Sequence, residues 1–333
     1  MPIVSVDSST PDPAAIARAA AILRSGGLVA FPTETVYGLG AHALDAAAVQ
    51  RIFDAKGRPS YNPLIVHVAD ESEARALAAE WPERASAVTG AFWPGPLTII
   101  VRKRDVVPDL VTAGLDSVAL RVPAHPVALA LLRAAKIPVA APSANRSTEL
   151  SPTNARHVAR SLGDRADLVL DAGDTAVGIE STVLDLRGAR AVILRPGVIG
   201  ARELRPFVGE LATPNEMHGD VPRASPGMLD RHYAPRATIV LFSPSDLSGV
   251  AAELQRLRAA GRRVGAMVIS VEVPGAEPQV RMPADPIQYA KRLYATLHAL
   301  DDIGCDAVFV QRVPDEEAWL ALRDRLERAS RSA

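Results

Sequence analysis

Apolar positions recur at helical spacing from Pro13 to Arg24, an alanine-rich run that opens on proline and stops before Gly26-Gly27. The pattern predicts a helix. Leu28-Val29-Ala30-Phe31 then reads as a short buried strand that runs into Pro32–Gly40, a loop crowded with hydroxyls. A second helix is expected from Ala46 to Ala55. The alternation continues with a strand at Pro63–Val68, a helix near residues 71–90, and strands at Leu97–Val101 and Val118–Val122. A helix at 126–135 and a strand at Ile137–Ala141 follow. A helix from Thr153 to Leu162 leads into three further strands, at Leu168–Asp171, Ser181–Leu186 and Val192–Leu194. Periodicity weakens between 208 and 236, where Thr213-Pro214-Asn215 and Ser225-Pro226-Gly227 punctuate a polar stretch. Beyond it, strands at Thr238–Phe242, Val264–Ile269 and Ala307–Val310 alternate with helices at 245–260, 286–302 and 315–329. Helices interleaved with short strands imply an α/β architecture. The expected organisation is an α/β domain over residues 1–207, an interdomain linker over 208–236, and a small parallel three-layer domain over 237–333.

Composition supports two cores, since 333 residues exceed what one core usually organises and 48% of them are apolar. A formal net charge of −1 advertises neither nucleic-acid nor membrane binding, so any basic surface would be local. The single Cys305 excludes an internal disulfide and a cysteine-based zinc site. No apolar run approaches a membrane span, and the first residues lack a basic segment followed by an apolar core. A soluble cytoplasmic protein is expected. Lysine occurs only at 56, 103, 136 and 291 while arginine carries the remaining positive charge, which draws attention to Lys56.

Lys56-Gly57-Arg58-Pro59 puts two cations on a loop just before an apolar strand that ends near His67, an arrangement suited to gripping an anion. Pro142-Ser143-Ala144-Asn145 delivers a hydroxyl and a carboxamide at the end of another strand, where α/β proteins tend to keep ligands. Thr33, Thr35 and Tyr37 alternate after a buried strand, so in extended chain their hydroxyls point to one side. Arg121 falls where a core side chain is expected and needs an anionic partner, either a protein carboxylate or a substrate carboxylate held by two parallel hydrogen bonds. Gly178–Thr182 brings hydroxyls to a strand entrance, and Arg195 is a second cation at the end of an apolar strand. The chain has no nucleophile elbow, no Gly-x-x-x-x-Gly-Lys loop, no Gly-x-Gly-x-x-Gly and no metalloenzyme spacing of histidines and carboxylates. Catalysis would therefore rest on holding reactants together and neutralising charge. The residues themselves reach as far as a site for an anionic, phosphate-bearing ligand and a small carboxylate.

Seven segments appear in a fixed order: Phe31–Leu39, Lys56–Pro59 with Asn62-Pro63-Leu64, Phe92–Thr98, Leu120–Pro123, Ala141–Asn145, Glu180–Val183 and Leu194–Gly197. Together they closely resemble the threonylcarbamoyl-AMP synthase family, built on the YrdC-type α/β fold. Ser225–Met228 and Arg231–Pro235 extend the resemblance to the long two-domain form, over residues 10–329. It implies a twisted YrdC-like domain with a basic cleft and a small Rossmann-like three-layer domain. It also implies that L-threonine, bicarbonate and ATP give L-threonylcarbamoyl-AMP and pyrophosphate, with magnesium accompanying ATP. A separate transferase would then modify the adenosine beside the tRNA anticodon. Carried over residue by residue, threonine contacts fall on Thr35, His67, Arg121, Ser181 and the backbone at Ala141. ATP contacts fall on Arg58, Asn62, Ser117, Ser143, Ser151, Arg195 and, from the linker, Tyr233, with Lys56 and Asn145 completing the basic and polar motif. Lys56 and Arg58 are the expected catalytic cations, and Thr33 and Tyr37 belong to the same wall.

The chain departs from the family pattern at Thr148, at Asp230 and at Glu317-Ala318-Trp319. Two other readings share the fold: a module binding double-stranded RNA, and a carbamoyl-adenylate former of the hydrogenase-maturation type. The second belongs to larger chains with acylphosphatase and zinc-finger parts, which this sequence lacks. The ordered segment Ser225–Pro235 is expected to lie across the N-terminal cleft, with Tyr233 on the nucleotide.

Overall fold

A computed structural model describes residues 1–212 and 233–331. Contacts divide the described residues into two compact units, one built from 1–147 and 151–212, the other from 148–150 and 233–331. Among the described residues no helix is long and apolar enough to cross a membrane.

In the first unit the strands are β1 (Ile3–Ser5), β2 (Val29–Pro32), β3 (Tyr37–His42), β4 (Ile65–His67), β5 (Leu97–Arg102), β6 (Ser117–Arg121), β7 (Val139–Ala140), β8 (Leu168–Asp171), β9 (Thr182–Asp185), β10 (Ala191–Arg195) and β11 (Leu211–Ala212). They pair in the order β1-β8-β2-β3-β7-β4-β6-β5-β9-β10-β11. The helices are α1 (Pro13–Arg24), α2 (Ala46–Lys56), α3 (Glu71–Leu77), α4 (Glu83–Phe92), α5 (Asp109–Thr112), α6 (Pro126–Ala135), α7 (Ala155–Leu162) and α8 (Ala201–Val208). Local chemistry sets the ends of α1: Asp12 caps it by accepting from the Ala14 and Ala15 amides, and Pro13 occupies the first helical position.

Several elements differ from the sequence reading. Tyr37–His42, which overlaps the loop expected over Pro32–Gly40, is a strand antiparallel to β2, with Phe31 opposite Gly38 and Pro32 opposite Tyr37. Gly38 and Gly40 disguise it, yet a Cβ on Gly40 would lie 2.8 Å from both Phe31 and Val139, so glycine lets the strands close up. The helix expected over 71–90 is two helices, α3 and α4, separated before Pro82 and Glu83. Leu211–Ala212, within the expected linker, pairs with β10. Residues 213–232 of that linker, including Ser225–Met228, Asp230, Arg231 and His232, lie outside the described residues.

Strand alternation divides the sheet into two faces. Val66, Leu120, Ile99 and Leu184 enter a large apolar core with Ala140 and Ala30. Val29, Phe31 and Val139 point the other way and pack with Ile16, Leu23, Val127 and Leu131 of α1 and α6. Ile65, Ile100, Ala119 and Val183 form a separate small apolar cluster. His67 and Arg121 share the alternate positions of β4 and β6 with Ile65 and Ala119, and these strands run parallel with His67 opposite Arg121.

The second unit contains β12 (Thr238–Phe242), α9 (Leu247–Ala259), β13 (Val264–Val268), β14 (Gln279–Arg281), α10 (Pro286–Asp302), β15 (Ala307–Gln311) and α11 (Leu320–Ser330). Its sheet is wholly parallel, in the order β12-β15-β13-β14. Val250 and Leu254 of α9 pack on one face with Val264, Ala266 and Phe309, while the alternate residues Met267, Val308 and Val310 are also buried, as two covered faces require. Three-residue β14 escapes sequence reading because it is an edge with two exposed residues.

Candidate active site

The turn from β2 to β3 builds one wall of the site. Thr33 closes the turn: its hydroxyl donates to the Val36 carbonyl at 2.6 Å and lies 2.8 Å from the Thr35 hydroxyl. Thr35 and Glu34 then reach Arg121, whose Nη2 donates to Glu34 Oε1 at 2.7 Å and to Thr35 Oγ1 at 3.0 Å. Arg121 Nε donates to the Gly95 carbonyl at 3.2 Å. Of the two partners the sequence left open for Arg121, a protein carboxylate is present, and it is Glu34. This residue was missed, although it is the only acidic side chain in the hydroxyl-rich turn. Tyr37 does not join the wall. Its hydroxyl donates to the Gly173 carbonyl at 2.8 Å and accepts from the Ala172 amide, so it braces the end of β8.

Beside Arg121, the imidazole of His67 is buried and its Nδ1 makes no hydrogen bond to a described residue. Burial first, and the Arg121 charge second, lower its pKa to about 3, so the ring is neutral near pH 7. The Phe31 ring meets it edge-on at a centroid distance of 6.3 Å.

Across β5 and β9, the hydroxyls of Thr98 and Ser181 are 2.8 Å apart, and Arg195 donates to the Ser181 hydroxyl at 3.1 Å and carbonyl at 3.0 Å. The register of β10 against β9 shifts between Ile193 and Arg195, an irregularity of the kind that re-aims a side chain. Gly197 permits close packing here, since a Cβ would fall 2.4 Å from the Thr182 amide nitrogen. Ser151 donates to Glu180 at 2.5 Å, and both are buried. Thr98 and Glu180 were not singled out from the sequence; Thr98 was legible as the inward alternate position of β5.

The entrance to β4 holds a second group. Lys56, the last residue of α2, is buried, and its ammonium donates to the carbonyls of Ser143, at 2.6 Å, and Asn145. Its own carbonyl accepts from the Ser147 amide at 2.8 Å. Lys56 therefore fastens the Pro142–Ser147 loop. Arg58 closes its own loop, donating to the carbonyls of Asn62 at 3.1 Å and Pro63 at 2.9 Å. The Asn62 carboxamide is buried, and neither its oxygen nor its nitrogen is hydrogen-bonded to a described residue. The amide of Ala141 donates to the Ile65 carbonyl, which brings the Ser143 loop to the start of β4, and Ser117 opens β6. His67 and Arg121 are the last residues of the same strands, roughly 7 Å beyond Ile65 and roughly 13 Å beyond Ser117 at about 3.3 Å per residue.

Tyr233 belongs to the second unit, where its buried ring lies 6.0 Å from that of Tyr294 and under the Arg325 guanidinium at 5.3 Å.

Among the described residues of the first unit, the buried side chains that carry charge are Lys56, Arg58, Arg121 and Arg195 with Glu34, Glu180 and Asp185. Asp185 pairs with Arg187 at 2.8 Å, and Glu34 with Arg121 at 2.7 Å.

Comparison with known proteins agrees with this chemistry. The family model described as "Telomere recombination" matches residues 21–197, and "Threonylcarbamoyl-AMP synthase, C-terminal domain" matches 198–331. A Pyrococcus abyssi threonylcarbamoyl-AMP synthase is 43% identical over 94% of this chain and 93% of its own length. One from Bacillus subtilis is 41% identical over 98% and 96%. The crystal structure of P. abyssi Sua5 complexed with L-threonine superposes with a TM-score of 0.91 at 40% identity, covering 99% of this chain and 98% of the other. Both halves of the sequence, and the fold of both units, thus place the chain in the threonylcarbamoyl-AMP synthase family.

Proposed function

We infer that this chain is an enzyme that forms L-threonylcarbamoyl-AMP and pyrophosphate from L-threonine, bicarbonate and ATP, the activity its family is named for. The observation that carries the reading to particular residues is the pairing of His67 with Arg121 on one face of parallel strands, next to Thr35. Arg121 supplies a charge for the threonine carboxylate. The neutral His67 ring, whose Nδ1 makes no hydrogen bond to a described residue, suits the threonine hydroxyl; Thr35 and Ser181 join it, and the backbone at Ala141, bonded to Ile65, meets the ligand from the strand entrance.

Arg58, Asn62, Ser117, Ser143 and Asn145 form the nucleotide group at the strand entrances, and Arg195 and Ser151, bonded to Ser181 and Glu180, extend it to the threonine group. The chemistry condenses the threonine amine with bicarbonate to a carbamate, the N–C bond forming as a C–O bond of bicarbonate breaks and water leaves, and a carbamate oxygen then attacks the α-phosphorus while pyrophosphate leaves. Holding carbamate and nucleotide in line, among fixed cations and away from bulk water, lowers the barrier without a protein nucleophile. Lys56 acts by shaping the Ser143–Asn145 loop, so it is a positioning residue rather than a cation aimed at phosphate.

Magnesium is assigned to the nucleotide, where it would screen phosphate charge. Among the described residues no group of three or more His, Cys, Asp or Glu could cage a metal, which fits an ion carried in on phosphates and water. The product would pass to a separate transferase that modifies tRNA. An RNA contact of this chain itself would rest on local arginines, since net charge offers no global attraction.

Titration calorimetry tests the assignment: L-threonine should bind one site per chain, and Arg121→Met should abolish that binding. Threonine binding that survives the substitution removes Arg121 from the site.

A further inference from the structure

We infer that Glu34 is a positioning residue for amino-acid recognition, fixing Arg121 so that Nη1 is the nitrogen presented to the substrate carboxylate. The inference rests on the assignment of Arg121 to L-threonine. A guanidinium carries five N–H donors in a rigid planar fork. Three are engaged inside the protein, one from Nε to Gly95 and two from Nη2 to Glu34 and Thr35. Nη1 makes no hydrogen bond to a described residue. The carboxylate that holds Nη2 is itself anchored, because Glu34 Oε2 accepts from the Ala124 amide at 3.1 Å. Glu34 thereby ties the turn between β2 and β3 to the segment leaving β6, and its side chain and that of Arg121 are only 11% and 4% accessible.

Two consequences follow. The fork cannot offer Nε and Nη2 together to a ligand, as a side-on carboxylate clamp would require, so the substrate carboxylate is directed to Nη1. The Glu34 charge also balances Arg121, leaving this end of the site close to neutral beside an uncharged His67, which matches an amino acid arriving as a zwitterion. Without Glu34 the guanidinium has freed donors and loses its defined orientation.

Calorimetric titrations of L-threonine and of ATP into full-length wild type, Glu34→Gln, Glu34→Asp and Arg121→Met test this. Glu34→Gln keeps the shape and loses the charge; Glu34→Asp keeps the charge and shortens the reach. The expected result is threonine affinity weakened about tenfold or more in Glu34→Gln, the scale of a charge-assisted hydrogen bond. Glu34→Asp should be weakened less, and ATP affinity should stay within about twofold in both. Unchanged or tighter threonine binding in Glu34→Gln overturns the inference, tightening because it shows that Glu34 competes with substrate. A parallel loss of ATP affinity also overturns it, by making Glu34 a general structural support. If Glu34→Gln does not fold, unchanged threonine affinity in Glu34→Asp is the overturning result and selective weakening the supporting one. Threonine binding that persists in Arg121→Met defeats the assignment of Arg121 instead, so the two failures are distinguishable.

Discussion

The Lys56 ammonium donates to the Ser143 carbonyl at 2.6 Å, joining the end of α2 to the loop that follows β7 across 87 residues of sequence. We propose that this bond makes the lysine an anchor for that loop. A buried ammonium held by peptide carbonyls fixes a loop, and the Ser143 and Asn145 side chains inherit their positions from it.

Lys56→Ala should therefore lose stability as well as activity. Two carbonyls lose a charged donor, a change worth about 2–4 kcal/mol, and turnover should fall because the loop is misplaced. Thermal unfolding and pyrophosphate release on one preparation check this. A variant with unchanged melting temperature and lost turnover would return Lys56 to direct action on the nucleotide.

How far this was legible depends on what each residue bonds to. His67 and Arg121 could be read because strands alternate with period two and both ended apolar runs. The partner of Lys56 could not, since it is main-chain carbonyl and carries no sequence signature. The strand Tyr37–His42 hid behind Gly38 and Gly40, whose missing side chains serve packing against Phe31 and Val139. The three-hydroxyl wall failed in part because Thr33 closes a turn and Tyr37 braces β8.

Arg121→Ala should cost about 3–5 kcal/mol in stability, because Glu34 is left as a buried uncompensated charge. Arg121→Met combined with Glu34→Gln should recover much of the melting temperature while threonine binding stays lost. Equal recovery of binding and stability would show that Arg121 serves the fold alone.

His67 gives a pH signature. Its folded pKa, about 3, is below the ordinary value of 6.5, so the unfolded chain binds the proton more readily between those limits. The neutral ring's contribution is complete above about pH 6.5 and is lost as pH falls toward 3. Denaturation across that window should show a shallower pH dependence in His67→Gln than in wild type. Superimposable profiles would mean that the ring does not titrate as described.

Asn62 separates function from stability. Its carboxamide is buried with no hydrogen bond to a described residue, so Asn62→Leu should be neutral or stabilising by about 1 kcal/mol while weakening ATP. A clearly destabilised variant with unchanged ATP affinity would make the carboxamide structural.

The most direct measurement is product formation by the full-length chain supplied with L-threonine, bicarbonate and ATP. Pyrophosphate and L-threonylcarbamoyl-AMP should appear in equal amounts, require all three substrates, and vanish in Arg121→Met. Pyrophosphate release that does not depend on threonine, or ATP left intact with all substrates present, would contradict the account.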